Sequence, residues 1–274
     1  MRKLALSDEI LMTIEKPARY IGGEVNAVMK DKEKVDIRFA MCFPDVYEIG
    51  MSHLGIQILY HMLNAMEHVW CERVYSPWVD LDRVMREQKI PLFAVESQDP
   101  IKNFDFLGIT IQYEMCYTNI LQVLDLSGIP LKSADRGEDF PIVIGGGAYN
   151  PEPLAPFFDM FYIGEGETVY DALFDAYKAN KKAGGSRRDF LLAAAKIPGI
   201  YVPSLYEVTY KEDGTIASFA PTADGVPEKV QKQLIIDMEK EYRAVEAPVV
   251  PHIKATQDRV TLEIQRGCIR GCRF

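Results

Sequence analysis

The chain has 274 residues, of which 48% are hydrophobic and 26% are charged. This composition is typical of a globular protein and excludes disordered, fibrous and coiled-coil chains. Lysine and arginine number 31 against 40 aspartates and glutamates, a formal net charge of −9, so we expect no general binding to nucleic acid. No apolar run approaches the roughly 20 residues of a membrane-spanning helix. Acidic residues also interrupt the N-terminal stretch where a signal peptide would be apolar, so the sequence predicts a cytoplasmic protein without a membrane partner.

From residue 35 onward, strand-like runs alternate with amphipathic helical runs, the pattern of a parallel sheet covered by crossover helices. Strands are predicted over 35–43, 73–75, 92–95, 106–111, 141–144 and 160–163. Helices are predicted over 54–66, over 118–127 with Thr118 as N-cap, and after residue 167. The fold class is therefore α/β, a doubly wound and mainly parallel sheet.

The character of the sequence changes after Gly184 and Gly185. A short helix over 190–195 precedes a hairpin with its turn at 212–214, a small β extension, and a polar, proline-rich linker over 221–257 follows. One more strand is predicted over 259–265. The predicted organisation is an N-terminal arm (1–34), a Rossmann-like domain (35–183), an extension with linker (184–257) and the start of a further domain (258–274).

Loops at the carboxyl ends of parallel strands bind ligands, because helix N-termini and backbone amides converge there. Three loops qualify, at 44–52, 145–150 and 164–167. The glycines of the second loop either admit a phosphate or simply form a turn. The third loop matches the dinucleotide fingerprint only in part, because Val169 replaces its last glycine, and no complete fingerprint follows the first strand. A nicotinamide-dependent oxidoreductase is therefore disfavoured, and the four histidines show no metal-binding spacing.

The five cysteines form no disulfide framework, since their number is odd and no secretory signal precedes them. Cys42, Cys71 and Cys116 lie in or near predicted strands and are interpreted as small buried hydrophobes. Cys268 and Cys272 form a C-x-x-x-C pair in a glycine-containing loop after a predicted strand. Such a loop suits an iron–sulfur cluster, although two thiolates alone complete neither a zinc site nor a cluster.

The run R-G-C-I-R-G-C-R-F at 266–274 resembles the start of the radical S-adenosylmethionine signature C-x-x-x-C-x-aromatic-C. In that family three cysteines hold a 4Fe–4S cluster, and S-adenosylmethionine binds the fourth iron. The resemblance implies that Cys268 and Cys272 are the first two ligands and that Phe274 is the aromatic residue on the S-adenosylmethionine side. The third cysteine would directly follow Phe274.

Upstream segments also carry a resemblance, among them FPDVYEIGMSHLG, FDFLGITIQYEMCYTNIL, PIVIGGGAYNPEPLAPFFD and IGEGE. They resemble the N-terminal region of an uncharacterised bacterial family of radical S-adenosylmethionine proteins with a Rossmann-like, cobalamin-binding-like domain. This implies an iron–sulfur enzyme of unknown substrate whose partner in the same polypeptide is a radical S-adenosylmethionine barrel, truncated here after its first strand. We expect the chain alone to be inactive. The alternative is a non-enzymatic Rossmann-like module that binds a ligand or partner and in which the cysteines are incidental.

Cobalamin is a separate question. The base-off cobalamin motif D-x-H-x-x-G is matched by Asp45 to Gly50 with Tyr47 in place of the histidine, and a neutral phenol is a poor cobalt ligand. Two interpretations remain: cobalamin binds without the histidine, or the fold is retained without the cofactor. The tyrosine at position 47 favours the second. The candidate residues of a cobalamin or nucleotide pocket are Asp45, Tyr47, Gly50, Thr110, Gly145, Gly146, Gly147, Gly164 and Glu165.

Overall fold

The structure is a computed structural model that describes residues 4–147, 150–241, 245–267 and 269–271. Within these residues no helix is long and apolar enough to cross a membrane. The predicted cluster ligands Cys268 and Cys272, and the aromatic residue Phe274, lie outside the described residues.

A six-stranded sheet forms the centre of the fold. Its strands are β1 (Ile37–Phe43), β2 (Val69–Tyr75), β3 (Phe106–Thr110), β4 (Ile142–Gly146), β5 (Met160–Tyr162) and β6 (Ile200–Tyr201). Their order is β2-β1-β3-β4-β5-β6, the first five strands are parallel, and β6 pairs antiparallel with β5. The strand order therefore reverses between β1 and β3, which confirms the predicted doubly wound α/β fold.

Helices cover both faces of this sheet. They are α1 (Asp8–Leu11), α2 (Tyr47–Gly50), α3 (Leu54–Ala65), α4 (Val79–Gln88), α5 (Tyr117–Leu126), α6 (Tyr170–Ala183) and α7 (Arg187–Ala194). A further short helix, α8 (Met238–Glu241), lies later in the chain. Alternate residues of β1 point to opposite faces: Phe39 and Met41 join the core formed with α3 and α6, whereas Ala40 and Cys42 join the core formed with α4 and α5. A strand buried on both faces contains few polar residues, which explains the apolar run from Phe39 to Phe43 in β1.

Two predicted details of the sheet region are wrong. Residues 92–95 form no strand, because the only bridge in this segment joins Phe93 to Pro100, and the edge position is taken by a longer β2 instead. Thr118 is not an N-cap: a 3₁₀ turn over Glu114–Cys116 runs directly into α5, so Cys116 precedes the helix in helical conformation and no side chain caps it.

The chain after α7 forms a hairpin and an irregular segment. The predicted hairpin is confirmed by the antiparallel strands β7 (Tyr206–Tyr210) and β8 (Ile216–Pro221). Residues 222–241 and 245–257, together called the strap below, cross the molecule with little regular structure. The strap is fixed by bridges from Gln233 to Gly164 and from Val250 to Val25.

The predicted strand over 259–265 is absent. This segment pairs with no strand among the described residues, and its alternate apolar side chains Val260, Leu262 and Ile264 are 82%, 77% and 89% exposed. The alternation of apolar and polar residues is typical of a strand, but a strand also needs a hydrogen-bonded neighbour. The described chain provides none for this segment.

Candidate functional site

A cavity of about 370 Å³ opens at the carboxyl ends of β1, β3, β4 and β5. It spans the position between β1 and β3 where the strand order reverses. In open parallel sheets this is the place where ligands bind, and the volume falls in the range of small-molecule sites. The cavity lies on the face covered by α3 and α6.

One wall of the cavity is apolar. It is lined by Leu54, Ile58 and Leu59 of α3, together with Ile144 of β4 and Tyr170 of α6. The helical spacing of these leucine and isoleucine residues places them along the same side of α3. The wall is therefore suited to the flat or apolar part of a ligand.

Three consecutive glycines at the end of β4 line the cavity, and they are glycines for different reasons. A Cβ on Gly145 would lie 2.6 Å from the Phe161 ring, and Gly147 has φ of +86°, which other residues rarely adopt. Gly146 has no such constraint: its Cβ would meet no heavy atom of the described residues within 4 Å. Glycine is therefore required by packing at position 145 and by the backbone conformation at position 147. At position 146 the absence of a side chain leaves space in the cavity.

The loop after β5 is held against the strap. Gly164 has φ of +141°, and a Cβ there would collide with the backbone oxygen of Gln233. The Glu165 amide donates to Gln233 O at 3.0 Å, and the Ile235 amide donates to Glu165 Oε2 at 2.6 Å. The strap thus fixes Glu165 at the edge of the cavity.

Arg266 and three glutamates form a charged rim on the cavity. The Arg266 guanidinium donates to Glu263 at 2.7 Å and to Glu167, and it lies 3.5 Å from Glu165. These hydrogen bonds, that of Glu263 first, raise the pKa of Arg266 although burial opposes the rise. Three carboxylates and one guanidinium give the rim a formal charge of −2.

His53 also lines the cavity, at the N-cap of α3. Its Nδ1 accepts a hydrogen bond from the Ile56 amide at 3.3 Å, and Gln112 lies within hydrogen-bonding reach of the ring. Burial lowers the pKa of His53, so the ring is neutral at pH 7. With Nδ1 as an acceptor, the network assigns the hydrogen to Nε2.

The predicted pocket residues divide into two groups. Those that line the cavity are Thr110, Gly145, Gly146, Gly147, Gly164 and Glu165. The three from the loop after β1 do not line it. Asp45 accepts from the Val46 amide at 2.7 Å, and Gly50 packs directly against the Tyr75 ring. The loop after β1 therefore turns away from the cavity, and only its end, at His53, reaches it.

Tyr47 is 1% exposed, and its hydroxyl donates to Glu24 Oε1 at 3.0 Å. Burial and the Glu24 carboxylate raise the pKa of Tyr47, which therefore remains a neutral phenol. Glu24 also pairs with the buried Arg73 at 2.9 Å. The residue that replaces the cobalamin-binding histidine thus belongs to a buried polar cluster, and the structure does not fit cobalt ligation from position 47.

Sequence reasoning missed Arg266 and His53 as cavity residues. Arg266 was interpreted only as the residue two positions before Cys268, and nothing in the sequence indicates that it pairs with Glu165 and Glu167 about 100 positions earlier. His53 has no histidine at a metal-binding spacing, so it was interpreted as an ordinary histidine. The one available signal was its place directly after the loop that follows the first strand.

The structure identifies no metal site among the described residues, where no group of three His, Cys, Asp or Glu side chains could hold an ion. Cys42, Cys71 and Cys116 are buried, as predicted. Burial raises the pKa of Cys42 and of Cys71, so both remain thiols.

Comparisons with known proteins assign this chain to a family. Residues 55–203, more than half of the chain, match the model of a family described as "Radical SAM proteins, N-terminal". The chain is also 25% identical over 238 residues to an uncharacterized protein of Methanocaldococcus jannaschii, a match that covers 86% of this chain and 40% of that protein. The chain thus spans less than half the length of this relative.

Among solved structures, the chain is similar to the radical S-adenosylmethionine methyltransferase TsrM from Kitasatospora setae, whose structure contains tryptophan substrate and a S-adenosylmethionine analogue. The TM-score is 0.34 at 15% sequence identity, and the match covers 72% of this chain and 36% of that one.

Proposed function

Because the chain belongs to the family of N-terminal regions of radical SAM proteins, we propose that it is the N-terminal part of a radical S-adenosylmethionine iron–sulfur enzyme and that its cavity holds a small molecule which the enzyme uses. The observation that carries the proposal is the position of Arg266, which lines the cavity and precedes Cys268 by two residues in the sequence. The segment that leads to the cysteine motif in the sequence therefore borders the cavity at Arg266.

Cys268 and Cys272 would hold two irons of a 4Fe–4S cluster, with the third ligand supplied by a cysteine directly after Phe274. When bound, the cluster supplies the electron that cleaves S-adenosylmethionine. The task of this chain is to position the segment that carries the two cysteines. Arg266 would do so by pairing with Glu167, which lies in the 3₁₀ turn Gly166–Thr168 just before α6.

Cobalamin is not supported as a cofactor with a histidine ligand. Tyr47 is engaged with Glu24, and His53 accepts the Ile56 amide through Nδ1, an arrangement in which Nε2 carries the hydrogen and has no lone pair for a metal. We propose that the cobalamin-binding-like fold is kept here without a protein ligand to cobalt.

The first test concerns the gene and the cluster. We expect the codon after Phe274 to encode cysteine, and we expect the protein encoded by the uninterrupted gene to bind about four irons per chain after anaerobic reconstitution with iron and sulfide. Visible absorbance and iron content are the measurements. Cys268→Ser and Cys272→Ser should each lose most of the cluster, whereas Cys116→Ser, at a buried thiol of the sheet domain, should retain it.

The 274-residue chain alone should hold little stable cluster, because two thiolates leave it exposed and labile. Any other residue after Phe274, or a cluster that survives both substitutions, would overturn the proposal. A non-enzymatic ligand-binding module would then be the better interpretation.

A further inference from the structure

We infer that the cavity at the carboxyl ends of β1, β3, β4 and β5 binds an uncharged or positively charged nucleoside-like heterocycle and discriminates against the same molecule bearing a phosphate. The inference rests on the proposed function, because it assigns a ligand class to the same cavity. It is argued from the space, the apolar wall and the charge of the cavity.

Space for the ligand lies at Gly146. This residue has an ordinary backbone conformation, and a Cβ would meet no described heavy atom within 4 Å. Its neighbours differ, because Gly145 packs against Phe161 and Gly147 needs its positive φ. A side chain at 146 would project into the cavity, so the glycine preserves volume that a ligand can use.

The apolar wall suits a flat ring. Leu54, Ile58, Leu59 and Ile144 line the cavity together with Tyr170. Burial of apolar surface is the main source of affinity in such clefts, while a few polar groups fix the orientation. A heterocycle fits this wall, and its polar substituents would point towards the rim.

The charge of the rim disfavours anions. Arg266 is the only cation among the described residues that line the cavity, and it is shared by Glu165, Glu167 and Glu263. His53 adds no positive charge, since burial lowers its pKa. A phosphate dianion would therefore approach a net charge of −2 in a partly buried setting, where charges are weakly screened.

The hydrogen-bonding groups point the same way. The rim offers carboxylate oxygens, which only accept, so they match ribose hydroxyls or an amino group. Thr110 and His53 add polar groups to the lining, although the Thr110 hydroxyl already donates to Cys42 O at 3.5 Å and the His53 ring is hydrogen-bonded to Gln112. A phosphate has only acceptors to offer to this rim.

The experiment is calorimetric titration of the 274-residue chain at low salt with three probes that share one ring: adenosine, 5′-amino-5′-deoxyadenosine and adenosine 5′-monophosphate. We expect the neutral and the cationic probe to bind at least tenfold more tightly than the monophosphate. Glu263→Gln should narrow this difference, because it removes one carboxylate from the rim.

Gly146→Val should weaken binding of adenosine by tenfold or more, because its Cβ position is open and the larger side chain would occupy the cavity, while the thermal midpoint should stay close to that of the native chain. Gly137→Ala is the matched control: it too has an ordinary φ and an open Cβ position, it lies in a loop away from the cavity, and its affinity should equal that of the native chain.

Three outcomes would overturn the inference. The monophosphate could bind as tightly as adenosine or more tightly, Gly146→Val could bind adenosine with the native affinity, or no probe could bind. These outcomes are separable from the cluster test. A protein that forms the cluster but binds no probe contradicts the ligand class alone, whereas a chain that binds adenosine and lacks a cysteine after Phe274 contradicts the proposed enzyme alone.

Discussion

Tyr47 occupies the position that decides between cobalt ligation and a structural role. Its hydroxyl donates to the Glu24 carboxylate, its ring packs against Tyr75 with centroids 5.4 Å apart, and Glu24 is bound by Arg73. Side chains held on all sides in this way are not available to a ligand in the cavity. The hydrogen bonds of Tyr47 and Arg73 to Glu24 instead connect the N-terminal arm to the sheet domain.

Replacing Tyr47 by histidine should therefore not create a cobalamin site. Titration of Tyr47→His with hydroxocobalamin should leave the visible spectrum of the cobalamin unchanged, as for the native chain. The free energy of unfolding in urea should fall by about 1–3 kcal/mol, because the smaller imidazole leaves a void beside Tyr75 and weakens the contact with Glu24.

Tyr113→His provides the control, since Tyr113 is 49% exposed and the substitution should change stability by less than about 0.5 kcal/mol. A spectral shift on addition of hydroxocobalamin to Tyr47→His, but not to the native chain, would show that position 47 reaches the cofactor and that the structural role is wrong.

At this scale the sequence predicts residues whose role is local. Thr110, Gly145 and Gly164 could be placed at the cavity because each follows a recognisable strand. Asp45, Tyr47 and Gly50 meet the same criterion, yet the loop after β1 folds back on the N-terminal arm. Contacts such as Tyr47 to Glu24 and Arg266 to Glu167 depend on tertiary packing, which strand and helix periodicity does not encode.

Among the elements, the junction of the loop after β5 with the strap has the most direct bearing on the cavity. Gly164 and Gln233 form a parallel bridge, Gln233 N donates to Ile163 O at 3.0 Å, and Ile235 N donates to Glu165. The bridge requires close approach of two backbones, which only glycine at 164 permits.

Gly164→Ala should separate the two backbones. We expect a loss of about 1–3 kcal/mol in the free energy of unfolding, from the φ of +141° and from the collision with Gln233 O. Hydrogen–deuterium exchange should show faster exchange at the amides of Gln233 and Ile235. Amides of β1 should keep their protection, since the sheet core is not altered.

The comparison variant is Gly137→Ala, where a Cβ meets nothing within 4 Å, and it should leave exchange in the strap at the native rate. If the strap amides of Gly164→Ala also exchanged at the native rate, the bridge would not be what holds the strap at the cavity.

Strands were predictable where a strand-like sequence pattern occurs in a segment that also has a neighbouring strand to pair with. The segments over 35–43 and 106–111 have strand composition and lie beside each other in the sheet, and both form strands. The segment over 259–265 has the same alternation but no neighbour among the described residues, and it forms no strand. Residues 92–95 form no strand for a related reason: β2 already occupies the edge of the sheet next to β1.

For the whole molecule, alternation of strand and helix was sufficient to predict a parallel doubly wound sheet. The antiparallel β6 was not predictable, because its two residues form a strand only through their pairing with β5. The same holds for the cavity: sequence places its glycine loops at one edge of the sheet, but the rim depends on the strap and on Arg266 returning to that edge.

The packing of this core also sets the response of the whole molecule to alkaline pH. Burial is the largest cause of a raised pKa at ten tyrosines of the part of the chain that the structure describes. These tyrosines are Tyr20, Tyr47, Tyr60, Tyr75, Tyr117, Tyr162, Tyr170, Tyr177, Tyr201 and Tyr206. The fold thus favours the neutral phenols, and their contribution to stability is fully present below the unfolded pKa of about 10.

As the pH rises above about 10, the unfolded chain loses phenolic protons that the folded chain retains, so stability falls with increasing pH. We expect the phenolate absorbance of these ten tyrosines and the loss of far-ultraviolet circular dichroism to follow one cooperative transition. Tyr170→Phe should make the fall in unfolding free energy with pH shallower, because one buried phenol is removed. Tyr210→Phe, at a ring that is 66% exposed, should leave the slope unchanged. Complete phenolate formation with the dichroism retained would mean that the tyrosines are accessible in the folded state and that the core is looser than this structure.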